Sequence, residues 1–481
     1  MENIEIIRIL HKYNPWWSHK PIPPSKIATF RRENFSRIKK DLARKEITSI
    51  IGPRRVGKTI LMHQLISDLL DQQTDPKTIF YLSVDEIQFQ KNNTSLGEIL
   101  EIYESHILQK SFDSLEKTIF MFLDEIQEIK DWGKILKNWQ DYGYNIKFII
   151  SGSSSIWITK GIEESLLGRI NTFVMLPLKF SEYLRYKGVI GDVILETQKD
   201  VQQLLKKAIE ENDSKKWHQK LEIFAAELAG KRHEIEKHLR RYLIVGGYPE
   251  FLDEEDFSGI SELLRDKIKL IFFKDIVRYF EIRNASVLED LFKLIAKNSG
   301  AYFNVAGTAA TLGIERPTLK DYLSYLMKAY LIESSEFFSE SRKKRLNKQE
   351  KIYILDAGMR NATVDYLDES LLINPTELGY VVEGVLFEHL MKLKYILEPG
   401  PEQKIFYWKG RKEVDFILTV KQKGIPIESK YSMRIRDLAK ETIQACIQEI
   451  RAPFGIIVTK NEFKREDNIL EIPLWIFLLI I

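Results

Sequence analysis

The segment with the strongest chemical signal is residues 52–59, Gly-Pro-Arg-Arg-Val-Gly-Lys-Thr, which fits the pattern G-x-x-x-x-G-K-[ST]. Gly52 and Gly57 allow the backbone to turn so that successive N–H groups face phosphate oxygens. We expect Lys58 to reach the β- and γ-phosphates of ATP and the Thr59 hydroxyl to ligate Mg²⁺. The predicted ATP-binding residues are Gly52, Pro53, Arg54, Arg55, Val56, Gly57, Lys58, Thr59, Ile60 and Asp124.

Two adjacent carboxylates, Asp124 and Glu125, follow the apolar run 119–123 and supply the second half of this predicted site. Ligand groups of open α/β sheets lie at the C-terminal ends of strands. Asp124 is therefore predicted to hold Mg²⁺, and Glu125 to polarise the attacking water as the catalytic acid–base group.

A serine-rich turn follows the next apolar run, 148–150. Ser151 or Ser153 is predicted to lie between the catalytic carboxylate and the γ-phosphate. The alternative is a Ser/Gly turn that only caps the following helix.

A second constellation lies near the C-terminal end of the chain and contains Asp415, Glu428 and Lys430. Residues i and i+2 of a strand face the same way, so Glu428 and Lys430 should point together, and Asp415 on a neighbouring strand can join them. With Glu383 from the preceding helix, this set could hold Mg²⁺ and orient a water for phosphodiester cleavage. The alternative is a fold that keeps these side chains but only grips DNA or protein.

The elements that must position the first site follow from the apolar runs 47–51, 78–84, 118–123, 147–150 and 172–176, which alternate with helical patterns. Buried runs that alternate with helices indicate a parallel sheet covered on both faces. The fold class is therefore predicted as α/β, with a P-loop NTPase core. Residues 181–290 have helical periodicity, with the clearest break at Gly-Gly-Tyr-Pro, 246–249.

Several short blocks in a fixed order carry a family resemblance across nearly the whole chain. They are residues 14–17 (Asn-Pro-Trp-Trp), 52–59, 123–127 (Leu-Asp-Glu-Ile-Gln) with Trp132, 151–154, 167–169 (Leu-Gly-Arg), 177–183, 246–249 and 413–416 (Glu-Val-Asp-Phe). This order resembles the prokaryotic AAA+ ATPases that end in a nuclease-like domain. Trp16 and Trp17 border the adenine or pack the N-terminal arm onto the core, and we favour the packing.

The resemblance implies an AAA+ core, a winged helix and a C-terminal α/β fold of the restriction-endonuclease, or PD-(D/E)xK, type. The segments expected are 1–190 for the N-terminal arm and ATPase core, 191–285 for a helical region, 286–360 for the winged helix, and 361–481 for the nuclease-like domain. The charged stretch 195–240 does not match the family pattern. The resemblance also implies that Arg169 senses or completes the catalytic site, in its own chain or in a neighbouring one, since an arginine near the γ-phosphate stabilises transition-state charge. The alternative is that Arg169 pairs with a carboxylate such as Glu163 or Glu164.

The winged helix is expected to comprise helices near 288–296 and 305–312, a helix that begins at Pro317, and a hairpin of strands 332–338 and 351–355. Leu319, Leu323 and Leu326 should form the apolar face of the third helix, with Lys320, Tyr322 and Lys328 on its exposed side. The basic hairpin tip makes DNA a predicted partner through Arg342, Lys343, Lys344 and Arg345. The alternative is a module for packing or protein interaction with a solvated tip.

Composition narrows the class of protein. The one cysteine, Cys446, excludes a disulfide framework and a cysteine-rich zinc site. The start of the chain lacks the apolar core of a signal peptide, and no run is long enough to span a bilayer, so a soluble cytoplasmic protein is expected. The run 472–481 is predicted as a final buried strand. The eight histidines show no metal-ligand spacing, and His63 is expected at a surface or half-buried.

These observations predict an ATP- and Mg²⁺-dependent AAA+ ATPase with Lys58, Glu125, Ser151 and Arg169 as catalytic residues. We expect it to couple its nucleotide state to DNA binding or remodelling through its C-terminal domains. One alternative is an ATP-controlled regulatory switch with protein partners, and another is an ATP-dependent DNA nuclease. A homo-oligomer is compatible with each, and no membrane association is expected.

Overall fold

The computed structural model describes the 481-residue chain except residues 1, 87–93, 153–165, 278–279, 281, 283, 399–403 and 433–436. The chain divides into two compact units. The first comprises Met1–Leu176 with Lys328–Tyr330, and the second comprises Pro177–Met327 with Leu331–Ile481. The second unit thus contains nearly all of the segments predicted as the helical region, the winged helix and the nuclease-like domain. The main segment of the first unit ends at Leu176, before the boundary predicted at residue 190.

A five-stranded parallel sheet forms the centre of the first unit, with strand order β2-β3-β4-β1-β5. It confirms the α/β core expected from the five apolar runs. The elements are α1 (Asn3–Tyr13), α2 (Phe35–Asp41), β1 (Ile47–Ile51), α3 (Lys58–Asp71), β2 (Ile79–Ser83), α4 (Leu96–Ile102), β3 (Ile119–Asp124), α5 (Trp132–Asp141), β4 (Ile146–Gly152) and β5 (Ile170–Val174). Short 3₁₀ turns lie at Pro15–Ser18, Pro24–Lys26, Pro76–Thr78, Phe112–Ser114 and Ile126–Glu128, and a π-helical turn lies at Tyr103–Leu108.

The N-terminal arm covers β2, which is an edge strand of this sheet. The Asn14 side chain accepts a hydrogen bond from the Tyr81 N–H at 2.6 Å and donates one to the Tyr81 carbonyl at 2.9 Å. The indole N–H groups of Trp16 and Trp17 both donate to the Ile79 carbonyl at 2.9 Å. The two tryptophans therefore pack the arm onto the core, which is the alternative that we favoured. An edge strand exposes unpaired backbone groups, and the arm satisfies them here.

Helices dominate the first part of the second unit. They are α6 (Phe180–Tyr186), α7 (Ile194–Glu211), α8 (Lys215–Leu228), α9 (Arg232–Val245) and α10 (Phe257–Leu270), with 3₁₀ turns at Ala229–Lys231 and Pro249–Phe251 and a π-helical turn at Ile271–Val277. The break predicted at 246–249 is confirmed, because α9 ends at Val245. A Cβ on Gly247 would lie 2.2 Å from the Leu178 carbonyl oxygen, so only glycine allows this close backbone approach.

Three helices and a hairpin follow, namely α11 (Ala285–Lys297), α12 (Val305–Leu312), α13 (Arg316–Lys328), β6 (Ile332–Phe337), α14 (Arg342–Leu346) and β7 (Lys351–Ile354). Leu319, Leu323 and Leu326 are buried as predicted. The prediction for Tyr322 was wrong: its side chain is buried, because the apolar stripe of α13 is wide enough to include it. Residues 342–346, expected as part of a hairpin tip, form one exposed helical turn.

The last part of the chain contains α15 (Ala357–Thr363), α16 (Ser370–Ile373), α17 (Pro375–Leu397), β8 (Phe406–Lys409), β9 (Glu413–Val420), β10 (Lys423–Lys430), α18 (Asp437–Ile450), β11 (Gly455–Thr459), β12 (Lys464–Glu466), β13 (Ile469–Pro473) and α19 (Leu474–Ile480). Its strands join the hairpin in one eight-stranded sheet, with order β12-β13-β11-β10-β9-β8-β6-β7. Strands β8, β9 and β10 are antiparallel neighbours, and α18 connects β10 to the parallel strand β11.

The C-terminal run 472–481 was predicted as a strand, and this prediction was wrong for the residues after Pro473. Strand β13 ends at Pro473, and residues 474–480 form the helix α19, with every side chain buried. A run that is apolar at all positions does not distinguish a buried strand from a buried helix. Among the described residues, no helix is long and apolar enough to cross a lipid bilayer.

Candidate functional sites

The loop between β1 and α3 has the backbone conformation that its glycines allow. Gly52 has φ 153° and Gly57 has φ 97°, and Lys58 begins α3. A Cβ on Gly52 would lie 1.9 Å from the Met175 carbonyl oxygen, so a larger residue would force the loop away from the end of β5. The side chain of Arg32 also supports the loop, since it donates a hydrogen bond to the Val56 carbonyl at 3.1 Å.

The ammonium group of Lys58 is held inside this loop. It donates to the carbonyl oxygens of Gly52 and Pro53, both at 2.9 Å, and the side chain is buried. These carbonyls fix a positive charge beside the N-terminus of α3, where backbone N–H groups favour an anion. The loop therefore has the charge and the backbone donors that a nucleotide phosphate requires.

Asp124 receives hydrogen bonds from three hydroxyl groups on three different elements. Thr59 Oγ1 and Tyr81 Oη donate to its Oδ2 atom at 2.7 Å and 2.9 Å, and Ser151 Oγ donates to Oδ1. Asp124 ends β3, Thr59 lies in the first turn of α3, and Tyr81 lies on the neighbouring strand β2. Hydroxyl and carboxylate oxygens are ligands that suit Mg²⁺, so Thr59 and Asp124 fit the metal role predicted for them.

Glu125 follows Asp124 in a strained backbone conformation, with φ 55°. Its N–H donates to Ser151 Oγ at 3.1 Å, and its carboxylate accepts a hydrogen bond from the Gln127 amide. Burial raises the pKa of Glu125 from its ordinary value, although Lys58 acts in the opposite direction. A carboxylate with a raised pKa is a better proton acceptor, which is the property that a general base needs.

Ser151 lies within β4 and connects the two carboxylate residues. Its hydroxyl donates to Asp124 and accepts from the Glu125 N–H, and the side chain is fully buried. Ser151 thus holds the acidic pair in place. Its contact with a γ-phosphate stays a prediction, and Ser153 lies outside the described residues.

The structure does not bring Arg169 to the phosphate loop of its own chain. Arg169 precedes β5 and its carbonyl accepts a hydrogen bond from the Ile47 N–H at 2.8 Å, at the N-terminal edge of the sheet. The loop follows Ile51 at the C-terminal edge, one strand length of roughly 15 Å away. The guanidinium pairs with Asp141, and the predicted partners Glu163 and Glu164 lie outside the described residues. The structure therefore does not support a role of Arg169 at the phosphate loop of its own chain, and a role toward a neighbouring chain stays a prediction.

The second constellation assembles where β9 and β10 separate. Their pairing runs to Phe416 and Ile427, and the next residues, Asp415 and Glu428, insert carboxylates into the gap. Glu428 accepts from the Asp415 N–H at 3.2 Å, and Asp415 accepts from the Ser429 N–H at 2.8 Å. Lys430 Nζ lies 2.5 Å from the Glu428 carboxylate, so both side chains point together, as the strand alternation predicted.

Glu383 reaches the same cluster from α17. Its carboxylate accepts a hydrogen bond from Tyr353 Oη at 2.8 Å. Burial and the nearby Asp415 raise the pKa of Glu383 to about 7. Burial and Asp415 also raise the pKa of Glu428 to about 8, although Lys430 opposes this rise.

A second lysine, Lys351 of β7, is part of this cluster and was not predicted. Its ammonium pairs with Glu413 and lies 3.5 Å from Glu383 Oε1, and only 3% of the residue is exposed. Glu413 also accepts a hydrogen bond from Tyr302. Lysines are thus the cations that neutralise these carboxylates. Within the described part of the chain, no three carboxylate, histidine or cysteine side chains lie close enough together to ligate one metal ion.

Two residues of these clusters were missed for different reasons. Tyr81 was counted only as an apolar member of its strand, although β2 lies beside the strand that ends at Asp124. Lys351 was treated as the end of a basic tip, although Lys351 and Tyr353 are an i, i+2 pair that faces one side of β7 and meets Glu383. His63, expected at a surface or half-buried, is buried, and its ring packs against the ring of Tyr81.

Comparison with known proteins supports the first site in particular. Residues 44–184 match the family described as an AAA domain. Residues 236–370 and 378–477 match two domains of unknown function, DUF8612 and DUF4143.

Three similar proteins have names that state no activity. Two uncharacterized proteins of Methanocaldococcus jannaschii are each 26% identical to this chain, one over 78% of this chain and 72% of its own length, the other over 91% and 85%. An uncharacterized protein of Haemophilus influenzae is 23% identical over 77% of this chain and 79% of its own length. The match over residues 44–184 thus makes this part of the chain similar to AAA domains, and the geometry of the loop between β1 and α3 agrees with nucleotide binding.

Proposed function

We propose that this protein is a Mg²⁺-dependent AAA+ ATPase that couples its nucleotide state to DNA binding or remodelling through the second unit. The observation that carries the ATPase proposal is the convergence of Lys58, Thr59, Asp124, Glu125 and Ser151 at the C-terminal edge of one parallel sheet. A purely structural role for these charges would not explain why a phosphate loop, a carboxylate suited to bind Mg²⁺ and a second carboxylate with a raised pKa lie together.

Each residue has a separate task in this proposal. Lys58 and the loop N–H groups hold the β- and γ-phosphates, and Thr59 with Asp124 holds Mg²⁺. Bound Mg²⁺ neutralises phosphate charge that develops during hydrolysis. Glu125 orients and deprotonates the attacking water, and Ser151 keeps the two carboxylates apart and oriented.

The exposed basic turn α14 supports the choice of DNA as the target. Arg342, Lys343 and Lys344 are exposed and carry three positive charges at the tip of the β6–β7 hairpin. Three helices precede this hairpin, an order typical of winged helices that bind duplex DNA. The competing proposal is an ATP-controlled switch with protein partners, in which this tip touches no nucleic acid.

Steady-state ATP hydrolysis in the presence and absence of duplex, forked and single-stranded DNA tests the proposal. We expect Mg²⁺-dependent turnover that at least one form of DNA stimulates. Arg342→Ala, Lys343→Ala and Lys344→Ala combined should abolish the stimulation but leave basal turnover intact, because phosphate contacts supply most of the affinity for DNA.

The matched control for this experiment removes three exposed cationic side chains elsewhere in the second unit: Lys199→Ala, Lys215→Ala and Lys216→Ala combined. The control should keep the stimulation. Turnover that no form of DNA changes would favour the switch with protein partners, and an absence of Mg²⁺-dependent turnover would contradict the ATPase itself.

A DNA nuclease is the second candidate function, and the cluster of Glu383, Asp415, Glu428 and Lys430 favours it. Strands β8–β10 with α17, α18 and β11 follow the order αβββαβ, and the carboxylates lie where the central strands separate. This arrangement supports the proposed PD-(D/E)xK-like fold. These oxygens could accept a divalent cation for phosphodiester cleavage once Lys430 or a proton no longer occupies them.

Cleavage of plasmid and forked DNA with Mg²⁺ or Mn²⁺ tests this candidate. We expect cutting that Asp415→Ala abolishes, because the carboxylate is required to bind the metal, while ATP turnover is unchanged. No cutting by the wild type with either ion would contradict a nuclease and leave the cluster with a structural or DNA-gripping role.

A further inference from the structure

The side chain of Tyr81 connects the N-terminal arm to the predicted magnesium ligand Asp124. Tyr81 Oη donates to Asp124 Oδ2 at 2.9 Å, the same oxygen that accepts from Thr59 at 2.7 Å. Tyr81 is 2% exposed, so no water competes freely for its hydroxyl. An uncompensated buried hydroxyl is costly, and here the carboxylate is its partner.

Several neighbours fix the position of this hydroxyl. The Asn14 side chain makes two hydrogen bonds to the Tyr81 backbone, and the His63 ring lies 4.5 Å from the Tyr81 ring, centre to centre. A tyrosine hydroxyl carries its proton and a carboxylate can only accept, so Tyr81 is the donor in this hydrogen bond. The hydroxyl thus approaches Asp124 from one fixed direction.

The two hydroxyl groups that donate to Asp124 Oδ2 have different relations to the predicted Mg²⁺ site. The Thr59 hydroxyl is itself a predicted metal ligand, whereas Tyr81 lies on β2 and has no other described hydrogen-bond partner for its hydroxyl. We propose that Tyr81 is a positioning residue that orients the Asp124 carboxylate for Mg²⁺ at the ATP site, held in place by the N-terminal arm. This inference rests on the proposed ATPase function.

The inference predicts a specific defect in metal use. Groups that hydrogen-bond a metal ligand without touching the metal typically change metal affinity about 10- to 100-fold when they are removed. Tyr81→Phe removes only the hydroxyl and preserves the ring packing. The variant should therefore need about 10-fold more free Mg²⁺ than the wild type to reach half-maximal binding of a non-hydrolysable fluorescent ATP analogue.

Tyr103→Phe is the matched control. Tyr103 is also a fully buried tyrosine of the first unit, but its hydroxyl donates to the Lys77 carbonyl at 2.7 Å, away from Asp124. Both variants lose one buried hydrogen bond, and their melting temperatures should fall by similar amounts. Only Tyr81→Phe should shift the Mg²⁺ dependence, while its affinity for the analogue in EDTA should equal that of the wild type.

The possible results separate this inference from the proposed function. If the wild type gains affinity with Mg²⁺ but Tyr81→Phe shows the same or a lower Mg²⁺ requirement, Tyr81 does not position the ligand and the inference is wrong. An equal shift in Tyr103→Phe would also overturn it, since it would indicate general loosening. If the wild type itself does not bind the analogue, the proposed ATPase function fails instead.

Discussion

Glu125→Gln is expected to reduce ATP turnover by about 10²- to 10⁴-fold, the usual contribution of a general base, while ATP binding persists. The amide keeps the size of the side chain but cannot accept the proton of the attacking water. Lys58, Thr59 and Asp124 are unchanged, so the phosphates and Mg²⁺ should still bind. Turnover is measured by phosphate release, and binding by fluorescence of an ATP analogue.

The pH dependence of the wild type provides an independent check on Glu125. A base must be deprotonated to act, and burial raises the pKa of Glu125. The acidic limb of the rate profile should therefore lie above the pH at which an ordinary glutamate titrates, and turnover should fall as pH decreases through it. Glu116→Gln, an exposed change just before β3, should leave both rate and profile intact. Normal turnover by Glu125→Gln would remove Glu125 from the mechanism.

Lys351→Met is expected to destabilise the second unit by about 3 kcal/mol. Removal of one partner from a buried ion pair leaves an uncompensated charge, and Lys351 neutralises both Glu383 and Glu413. This loss of stability is at the lower end for the removal of one partner from a buried ion pair, because the side chains of Glu383 and Glu413 remain 20% and 28% exposed. Hydrogen exchange of peptides from β7 and β9 measures the loss locally, which matters because a chain of two units does not unfold in one step.

Lys430→Met is the matched control within the same cluster. The side chain of Lys430 is 40% exposed, so water can partly replace it beside Glu428 and a smaller loss of stability is expected.

The loss of stability in Lys351→Met should be larger at pH 8 than at pH 6, because Glu383, whose pKa is raised to about 7, is mostly neutral at the lower pH. Unchanged exchange in Lys351→Met would mean that the pair adds nothing to stability.

The phosphate loop was predictable from the sequence because its chemistry is local. Eight consecutive residues carry the glycines, the lysine and the threonine, and the apolar runs on each side identify the strand and the helix. The carboxylate pair after β3 was predictable for a related reason, since strand ends of a parallel sheet meet at one edge. The second constellation needed only strand alternation and one turn to bring Asp415, Glu428 and Lys430 together.

The missed features depend on contacts between distant parts of the chain. Lys351 meets Glu413 only because β6 pairs in parallel with β8, and nothing in the local pattern indicates this pairing. Tyr81 is an ordinary strand residue until β3 brings Asp124 beside it. The helix after Pro473 also depends on tertiary packing, because a run that is apolar at nearly every position does not distinguish a strand from a helix. Tyr322, in contrast, was predictable, since its spacing from Leu319 places it on the buried stripe of α13.

The pairing of β6 with β8 has a consequence for how such chains can be rearranged. The two matched domains of unknown function meet between residues 370 and 378, yet one hydrogen-bonded sheet passes through this boundary, at Glu336–Phe406 and Phe337–Tyr407. A lysine from the first segment also supplies the counter-charge for carboxylates of the second. Separation of the two segments would leave an unpaired strand edge and would leave buried carboxylates without their counter-charge, so we expect the two segments to tolerate exchange only as one piece.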